Sequence, residues 1–310
     1  MKVEYAIIVK NKTRLESLIE RFNTKAQAKF YIERMGGDFA DYELEHDTFY
    51  TSLNSLQQQL SKVIKHKIVE RSFVSSFIFS EKNVIVVIGQ DGLVANTAKY
   101  SNEIPIVAVN PDTGRYDGVL LPFTPNDFVY AVEGVINNRF NVKTVTFAEA
   151  SLNDGQRILA FNELFIGASS HISARYKISY DQVSEEQSSS GLIVSTQAGS
   201  TGWLSSVFNM AYGVTGMFEK NLKPKRPKVK DNELLFAVRE PFKSIKTQTG
   251  ITAGRIRGSN HLVVESLMPA QGVIFSDGIE HDFLQFNSGS IATIGIAKET
   301  AKLVTMKAIK

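Results

Sequence analysis

The chain has 310 residues, long enough for two domains, and its 43% hydrophobic and 22% charged residues are typical of a globular protein rather than a disordered one. A formal net charge of +3 is too small to indicate nucleic acid or a membrane as the partner. Because the sequence contains no cysteine, disulfide bonds, thiolate metal sites and cysteine nucleophiles are excluded.

The first third of the sequence alternates strand-like and helix-like segments. The N-terminal stretch MKVEYAIIVKNK is too briefly apolar for a signal peptide, and no segment is long enough to span a membrane, so we expect a cytoplasmic protein. Within it, YAIIV (5–9) predicts a buried strand. Two series of apolar residues at helical spacing follow: Leu15, Leu18, Ile19 and Phe22, then Leu53, Leu56, Leu60, Val63 and Ile64.

Two later segments are apolar without interruption. NVIVVIG (83–89) and PIVAVN (105–110) are typical of central parallel strands, which are buried on both faces. Residues 1–136 therefore predict an α/β domain. Ligands of such domains lie beyond the carboxyl ends of the strands, and the turn GQDG (89–92) follows the first of these two segments.

The GQDG turn combines the shape of a phosphate site with a negative charge. Glycines before a helix expose free N–H groups and the positive end of the helix dipole, which suits an anion. Asp91 has the wrong sign for direct phosphate binding, and a helix-capping acid is the simple alternative. A Walker A loop is excluded because no GK[ST] follows the glycines.

The sequence becomes strand-like after residue 136. Short β-like runs are separated by turn residues: VKTVTFAEASL, RILAFNELFIGAS, ARYKISYD, SGLIVST, ELLFAVRE, HLVVES and GVIFSDGIEHDFLQF. Residues 137–310 therefore predict a β-rich domain, whose last ~15 residues either stay in it or return to the first domain.

Three sequence features have a structural interpretation as well as a functional one. GGDF (36–39) resembles a fragment of a cyclic-dinucleotide cyclase signature, but glycine after the helical run KAQAKFYIERM is most simply a helix C-cap. No metal-ligand spacing joins the five histidines, His46, His66, His171, His261 and His281, so no metal site is expected. A solvated loop, or alternatively a loop that approaches phosphate, is predicted for the basic residues Lys223, Lys225, Arg226, Lys228 and Lys230.

A second glycine turn lies in the β-rich half. GLIVSTQAGSTGWLSS (191–206) predicts a strand, a turn of small residues and a helix start, whose N–H and hydroxyl groups suit the polar atoms of a nucleotide. FNELFIG adds the adjacent pair Asn162 and Glu163 before an apolar run, and such a pair can bind ribose hydroxyls or an adenine edge. Together with Asp91, these motifs indicate nucleotide sites in both domains.

In their order, these motifs resemble those of the NAD kinase family across nearly the whole chain. VIGQDG, PIVAVN, NELFIG, GLIVSTQAGSTGW and the SDG at 276–278 correspond to its GGDG, NE and glycine-turn segments. NELFIGASSHISARYKISYD, SSSGLIVS and VNPDTGRYDG look most like the mitochondrial type. The resemblance implies an α/β N-terminal domain, a β-rich, sandwich-like C-terminal domain that binds NAD, and a homodimer or homotetramer.

The resemblance also implies an activity and roles for individual residues. It implies phosphoryl transfer from ATP or polyphosphate to the adenosine ribose 2′-hydroxyl of NAD, with Asp91 as catalytic base or as a group linked to the Mg²⁺ that accompanies ATP. Asn162 and Glu163 match the NE pair that contacts the dinucleotide. The full set of implied binding residues is Gly89, Gln90, Gly92, Asn110, Asn162, Glu163, Thr196, Gly199, Ser200, Thr201 and Trp203.

Departures from the family pattern leave alternatives open. Gln90 replaces the second glycine of GGDG, and we expect its side chain to restrict both positive φ and close approach of a phosphate. Trp203 stands where most members have tyrosine, and Ser190 where many have aspartate, as in the mitochondrial type. The alternatives are a catalytically silent dinucleotide-binding homologue and a related lipid or sugar kinase.

Overall fold

The computed structural model describes residues 3–219, 228–258 and 260–306. The chain forms two compact units, Met1–Thr144 together with Ala301–Lys310, and Val145–Thr300.

The basic residues Lys223, Lys225 and Arg226 lie outside the described residues. In the ranges that the structure describes, we find no helix with the length and apolar character needed to cross a membrane.

The described residues of the first unit form a parallel sheet, five α-helices and a 3₁₀ helix. In chain order its elements are β1 (Tyr5–Lys10), α1 (Arg14–Phe22), α2 (Lys25–Arg34), α3 (Phe39–Leu60), β2 (Lys65–Glu70), a 3₁₀ helix (Arg71–Ser76), β3 (Asn83–Ile88), α4 (Asp91–Ala98), β4 (Ile106–Val109) and α5 (Phe128–Ile136). The strand order is β2-β1-β3-β4, followed by the end of the last strand of the chain, whose Leu303 pairs with Ile106. This confirms the predicted α/β architecture.

Buried strands of this sheet could be predicted from their apolar sequences, whereas the exposed edge strand could not. All six residues of β3 are buried, as expected for a central strand, and α3 packs Leu53, Leu56 and Leu60 against the same core. Strand β2 was not predicted because the helical spacing continues to Ile64, whereas α3 ends at Leu60. As an edge strand with exposed lysines, β2 carries a weak apolar signal.

The GGDF segment links two helices. Gly36 follows the end of α2 with φ of +77°, and its N–H donates to Glu33 O at 3.0 Å. The carboxylate of Asp38 accepts a hydrogen bond from Ala40 N at 2.9 Å and caps α3. The predicted glycine C-cap is confirmed, since a left-handed glycine after a helix satisfies its last carbonyls.

The described residues of the second unit form two sheets, a 3₁₀ helix and one α-helix. Its strands are β5 (Asn141–Leu152), which begins in the first unit, β6 (Arg157–Ala160), β7 (Glu163–Ala168), β8 (Ala174–Tyr180), β9 (Val183–Ser189), β10 (Leu192–Ser195), β11 (Leu234–Val238), β12 (Ala253–Ile256), β13 (Leu262–Ser266), β14 (Gly272–Ser276), β15 (Ile279–Gln285) and β16 (Ile291–Thr305), which ends in the first unit. A 3₁₀ helix (Ala198–Thr201) and α6 (Trp203–Thr215) follow β10.

These two sheets enclose one core. One sheet has the order β12-β11-β10-β7-β14-β15, and the other contains β16-β13-β8-β9, with β5 paired to β6. Ile166, Val194 and Phe236 of the first pack with Tyr176 and other residues of the second in one buried cluster. The predicted sandwich-like domain is confirmed. Strand β9, VSEEQSS, escaped prediction because its sequence is almost entirely polar.

Candidate functional site

The GQDG turn connects β3 to α4 and needs glycine at its first position. Gly89 has φ of +155°, and a Cβ there would lie 3.1 Å from Leu93 Cδ2. Gly92, the second residue of α4, has no heavy atom within 4 Å of the place where a Cβ would be. The fold therefore requires glycine at position 89, whereas the glycine at position 92 leaves space beside the helix N-terminus.

The conformational restriction expected of Gln90 does not arise. Gln90 is the N-cap residue of α4 with φ of −110° and ψ of 163°, an extended conformation that any residue adopts, and its side chain is exposed. The positive φ of this turn falls one residue earlier, at Gly89. That part of the expectation was wrong because the sequence alone did not reveal which residue of the turn is left-handed.

The carboxylate of Asp91 is held by a distant loop rather than by its own helix. Its Oδ1 accepts a hydrogen bond from Leu120 N at 2.9 Å, and its Oδ2 accepts one from Val119 N at 3.2 Å. Asp91 is the first residue of α4 and not its N-cap. The helix-capping interpretation is therefore replaced by a carboxylate fixed at both oxygens, each of which keeps lone pairs for a further partner.

Asn110 organises the segment that leads to this loop. Its Oδ1 accepts from Asp112 N at 3.0 Å, and its Nδ2 donates to Tyr116 O at 3.0 Å. A Cβ at Gly118, where φ is +64°, would lie 2.6 Å from Asn110 Nδ2. Asn110 thus shapes the loop, and its contact with substrate stays a prediction.

The Asn162–Glu163 pair is held by Asp277 in the second unit. The Asp277 carboxylate accepts hydrogen bonds from the backbone N–H groups of Phe161, Asn162 and Glu163 at 3.1, 2.6 and 3.3 Å. Its own N–H donates to Glu163 O at 3.0 Å. Asp277 was absent from the predicted site residues, although the SDG turn was noted. The signal for its role was an acid at the left-handed position of a tight hairpin turn.

The second glycine turn packs directly against this pair. Thr196 N donates to Asn162 O at 2.9 Å, and its hydroxyl donates to Phe161 O at 2.6 Å. A Cβ at Gly199 would lie 2.2 Å from Asn162 O, so this glycine permits a close backbone approach. The structure therefore brings Asn162, Glu163, Thr196 and Gly199 together.

The remaining residues of the turn point elsewhere. Ser200 Oγ donates to Gln197 O at 2.7 Å, and the exposed Thr201 accepts at its carbonyl from Ser205 Oγ at 2.8 Å. Trp203 stacks on Phe165 with ring centroids 5.6 Å apart and lies under the Arg239 guanidinium. These aromatic and basic residues line a pocket of about 750 Å³, whose lining includes neither Asn162 nor Glu163.

Glu163 occupies an unfavourable place for a charge. Burial, together with the nearby negative charge of Asp277, raises the pKa of its carboxyl group to about 7. In the described part of the chain, neither this carboxyl group nor the Asn162 side-chain amide has a hydrogen-bond partner. Two polar side chains therefore stand on a rigid backbone with their bonding capacity available to a ligand.

Within residues 3–219, 228–258 and 260–306, no group of three or more His, Asp or Glu side chains is arranged to hold a metal ion.

Comparison with solved structures identifies the architecture. The structure matches yeast NADH kinase complexed with NADH with a TM-score of 0.63 and 14% identity, covering 99% of this chain and 85% of that one. It matches an NAD kinase from Archaeoglobus fulgidus in complex with ATP with a TM-score of 0.58 and 15% identity, covering 98% and 94% of the two chains. The chain has the fold of the NAD kinases.

Sequence comparison is consistent with that fold and more limited in extent. An NAD kinase from Chlorobaculum tepidum is 24% identical over 124 residues, which are 39% of this chain and 43% of that kinase. The alignment therefore covers less than half of either protein. No protein-family model matches the chain. The resemblance to NAD kinases is confirmed, and the likeness to the mitochondrial type stays a prediction.

The pKa of Glu163 predicts a pH-dependent cost in stability. An unfolded glutamate ionises near pH 4.5, so the free energy of unfolding falls as pH rises from there through about 7, where the folded group must ionise. We expect Glu163→Gln to gain about 1–3 kcal/mol relative to wild type between pH 5 and pH 8 in urea unfolding.

Glu299 serves as a matched control, because its pKa is shifted in the opposite direction to that of Glu163. The hydrogen bond from Arg157 lowers the pKa of Glu299, so Glu299→Gln should not gain stability as pH rises. An equal gain by both variants would contradict the assignment to Glu163.

Proposed function

We propose that this protein is an NAD kinase, which transfers a phosphoryl group from ATP or polyphosphate to the adenosine ribose 2′-hydroxyl of NAD and gives NADP. The observation that carries the proposal is the arrangement around Asn162. Thr196 N donates a hydrogen bond to the Asn162 carbonyl, and the backbone of Gly199 lies so close to that carbonyl that a Cβ would overlap it. Asp277 accepts a hydrogen bond from Asn162 N, and the Asn162 side-chain amide has no partner within the described residues. Such a fixed polar pair suits a ligand with hydroxyl groups or a base edge.

The similar proteins support a nicotinamide dinucleotide and ATP as the proposed substrates. The solved yeast protein is an NADH kinase complexed with NADH, and the archaeal one is an NAD kinase in complex with ATP. The aligned bacterial protein is also an NAD kinase. We extend these activities to this chain because its Asp91, Asn162 and Glu163 match the motifs described above.

Asp91 would act on the hydroxyl that attacks the donor phosphate. Both carboxylate oxygens are fixed by backbone N–H groups, so the remaining lone pairs have defined directions. A fixed carboxylate can accept the proton of an attacking hydroxyl, which is general base catalysis. This role explains why an acid stands in a turn of the kind that binds phosphate.

The N-terminus of α4 would bind the donor phosphates. Gly92 is exposed and offers open space where another residue would place a Cβ, so a phosphate oxygen can approach the backbone N–H groups of the first turn. Mg²⁺ would arrive with the donor, and a single carboxylate such as Asp91 suits the way this ion is shared between protein and phosphates. When bound, the ion would neutralise the developing negative charge of the transferred group.

The alternatives differ in what the structure offers them. The silent-homologue hypothesis depended on Gln90, which is extended and exposed, so its backbone does not distort the turn. The Asn162–Glu163 pair and the glycine turn favour a dinucleotide over a lipid, and a sugar kinase stays an alternative. We propose NAD as the acceptor and leave its redox state open. The choice between ATP and polyphosphate, the oligomeric state and the cytoplasmic location stay predictions.

The first test of the proposal is Asp91→Asn. Asparagine keeps one acceptor oxygen for the two loop N–H groups and cannot take a proton, so we expect kcat for NADP formation to fall by about 10²-fold or more with NAD binding retained. NADP is measured after incubation with NAD, Mg²⁺ and ATP or polyphosphate. Near-normal turnover would restrict Asp91 to a structural role.

A second test concerns the acceptor. Asn162→Ala should weaken NAD binding by about 1–3 kcal/mol, the usual loss when a ligand's polar groups are left unpaired. Calorimetry with NAD measures it, and the exposed Asn126→Ala in the first unit is the control. Equal affinities of both variants would remove Asn162 from the binding site.

A pair of alanine substitutions tests the donor site. Gly92→Ala meets no atom within 4 Å and lies in a helix, so the fold should keep its stability while the KM for the donor rises about tenfold or more. Gly89→Ala must adopt a φ of +155°, so it should lose about 1–3 kcal/mol of stability. Thermal unfolding and donor titration separate the two. A Gly92→Ala variant with an unchanged donor KM would contradict phosphate binding at this turn.

A further inference from the structure

The loop that holds Asp91 combines an exposed residue with a buried one at the point of contact. Residues 110–121, which we name the acid-holding loop, supply the N–H groups of Val119 and Leu120 to the Asp91 carboxylate. The Val119 side chain is 84% exposed. Leu121, at the end of the loop, is buried. Apolar packing therefore holds that end, and the position of the residues before it depends on polar anchors elsewhere.

One of these anchors is an ion pair with α3. Arg115, near the middle of the loop, donates from Nη2 to Asp41 Oδ1 at 2.5 Å and from Nη1 to Asp41 Oδ2 at 3.3 Å. This is the bidentate geometry that fixes orientation as well as distance. The hydrogen bonds from Arg115 also hold the pKa of the Asp41 carboxyl well below its usual range.

Neighbouring groups keep both partners of this pair in place. Asp41 lies in the first turn of α3 and accepts a second hydrogen bond from Arg14 of α1 at 2.8 Å. On the loop side, Asp112 Oδ1 accepts from Gly114 N and Arg115 N at 3.1 and 3.2 Å. The buried Glu45 lies 3.9 Å from Arg115 Nη1. The Arg115 guanidinium thus lies beside two acids of α3, Asp41 and Glu45, and its Nε lies 3.6 Å from Asp112 Oδ2 of the loop.

Only a short stretch of backbone joins the Arg115 ion pair to the N–H groups that bind Asp91. Four residues separate Arg115 from Leu120, and Leu121 N donates to Gly118 O at 3.0 Å within this stretch. Asn110, with its bond to Tyr116 O, fixes the intervening backbone. A shift of the Arg115 side chain away from Asp41 would therefore move the two N–H groups that orient the Asp91 carboxylate.

We propose that Arg115 and Asp41 are positioning residues, whose ion pair fixes the acid-holding loop so that Asp91 is oriented for phosphoryl transfer. This inference rests on the proposed function. Neither residue contacts Asp91, and both act through the backbone of residues 116–120. The pair is partly exposed, with side-chain accessibilities of 24% and 42%, so its loss should change orientation more than overall stability.

The kinetic test compares Arg115→Ala and Asp41→Asn with a control on the same helix. Glu43→Gln removes a partly exposed ion pair between α3 and α2, with Lys25 at 2.6 Å, that does not involve the loop. We expect kcat to fall about tenfold in the first two variants, with the KM for NAD changed by less than about twofold. The double variant should fall no further than either single one, because the two residues act as a unit. The control should match wild type.

A second measurement does not depend on activity. Hydrogen exchange of the Val119 and Leu120 amides should be faster in Arg115→Ala, Asp41→Asn and Asp91→Asn than in wild type or Glu43→Gln. Unchanged exchange in Arg115→Ala and Asp41→Asn would overturn the inference, whatever their activity. Wild type that makes no NADP from any donor would instead reject the proposed function, and exchange alone would then decide whether the ion pair positions the loop. A kcat loss shared with Glu43→Gln would assign the effect to α3 and overturn the inference.

Discussion

The bonds between the Asp277 carboxylate and three successive backbone N–H groups determine the geometry of the candidate dinucleotide site. They fix residues 161–163, and the carbonyl of Asn162 then accepts from Thr196. The same carbonyl leaves so little room that position 199 must be glycine. The NE and glycine-turn motifs, 33 residues apart at Asn162 and Ser195, are thus parts of one hydrogen-bonded arrangement. Charge-assisted bonds of this kind are among the stronger hydrogen bonds in proteins.

This arrangement has an electrostatic cost. Burial raises the pKa of the Glu163 carboxyl group, and the fixed carboxylate of Asp277 raises it further. A chain selected for stability alone would gain from glutamine at this position. Groups with perturbed pKa values and unused hydrogen-bonding capacity concentrate at functional sites, so the cost is itself consistent with a role in binding.

The first unit uses the same device for a different purpose. There the carboxylate of Asp91 is oriented by N–H groups of the acid-holding loop, and the loop in turn is tied to α3 through Arg115. The positions of Asp91 and Glu163 therefore both depend on hydrogen bonds with segments that are distant in sequence. Local sequence patterns cannot reveal such dependence, because hydrogen bonds from N–H groups carry no signature in the identity of the donor residues.

The same reasoning explains how far the sequence could be read. Continuous apolar runs predicted β3 and β4, and the glycine turn predicted the strand, turn and helix around Gly199. The sequence did not reveal β2 and β9, an edge strand and a polar strand, or the role of Asp277. It also placed the special backbone conformation at Gln90, whereas the structure has it at Gly89. Motif position could be recognised from the sequence, but backbone dihedral angles and long-range N–H donors required the three-dimensional structure.

The central claim, phosphoryl transfer to the adenosine ribose 2′-oxygen, is tested most directly by following the phosphorus atom. The protein is incubated with NAD, Mg²⁺ and ATP labelled at the γ-phosphate, and the dinucleotide product is examined by mass and by ³¹P NMR. We predict one labelled phosphate per dinucleotide, bonded to the 2′-oxygen of the adenosine ribose. Label found as inorganic phosphate, or on any other oxygen of the dinucleotide, would contradict the proposal.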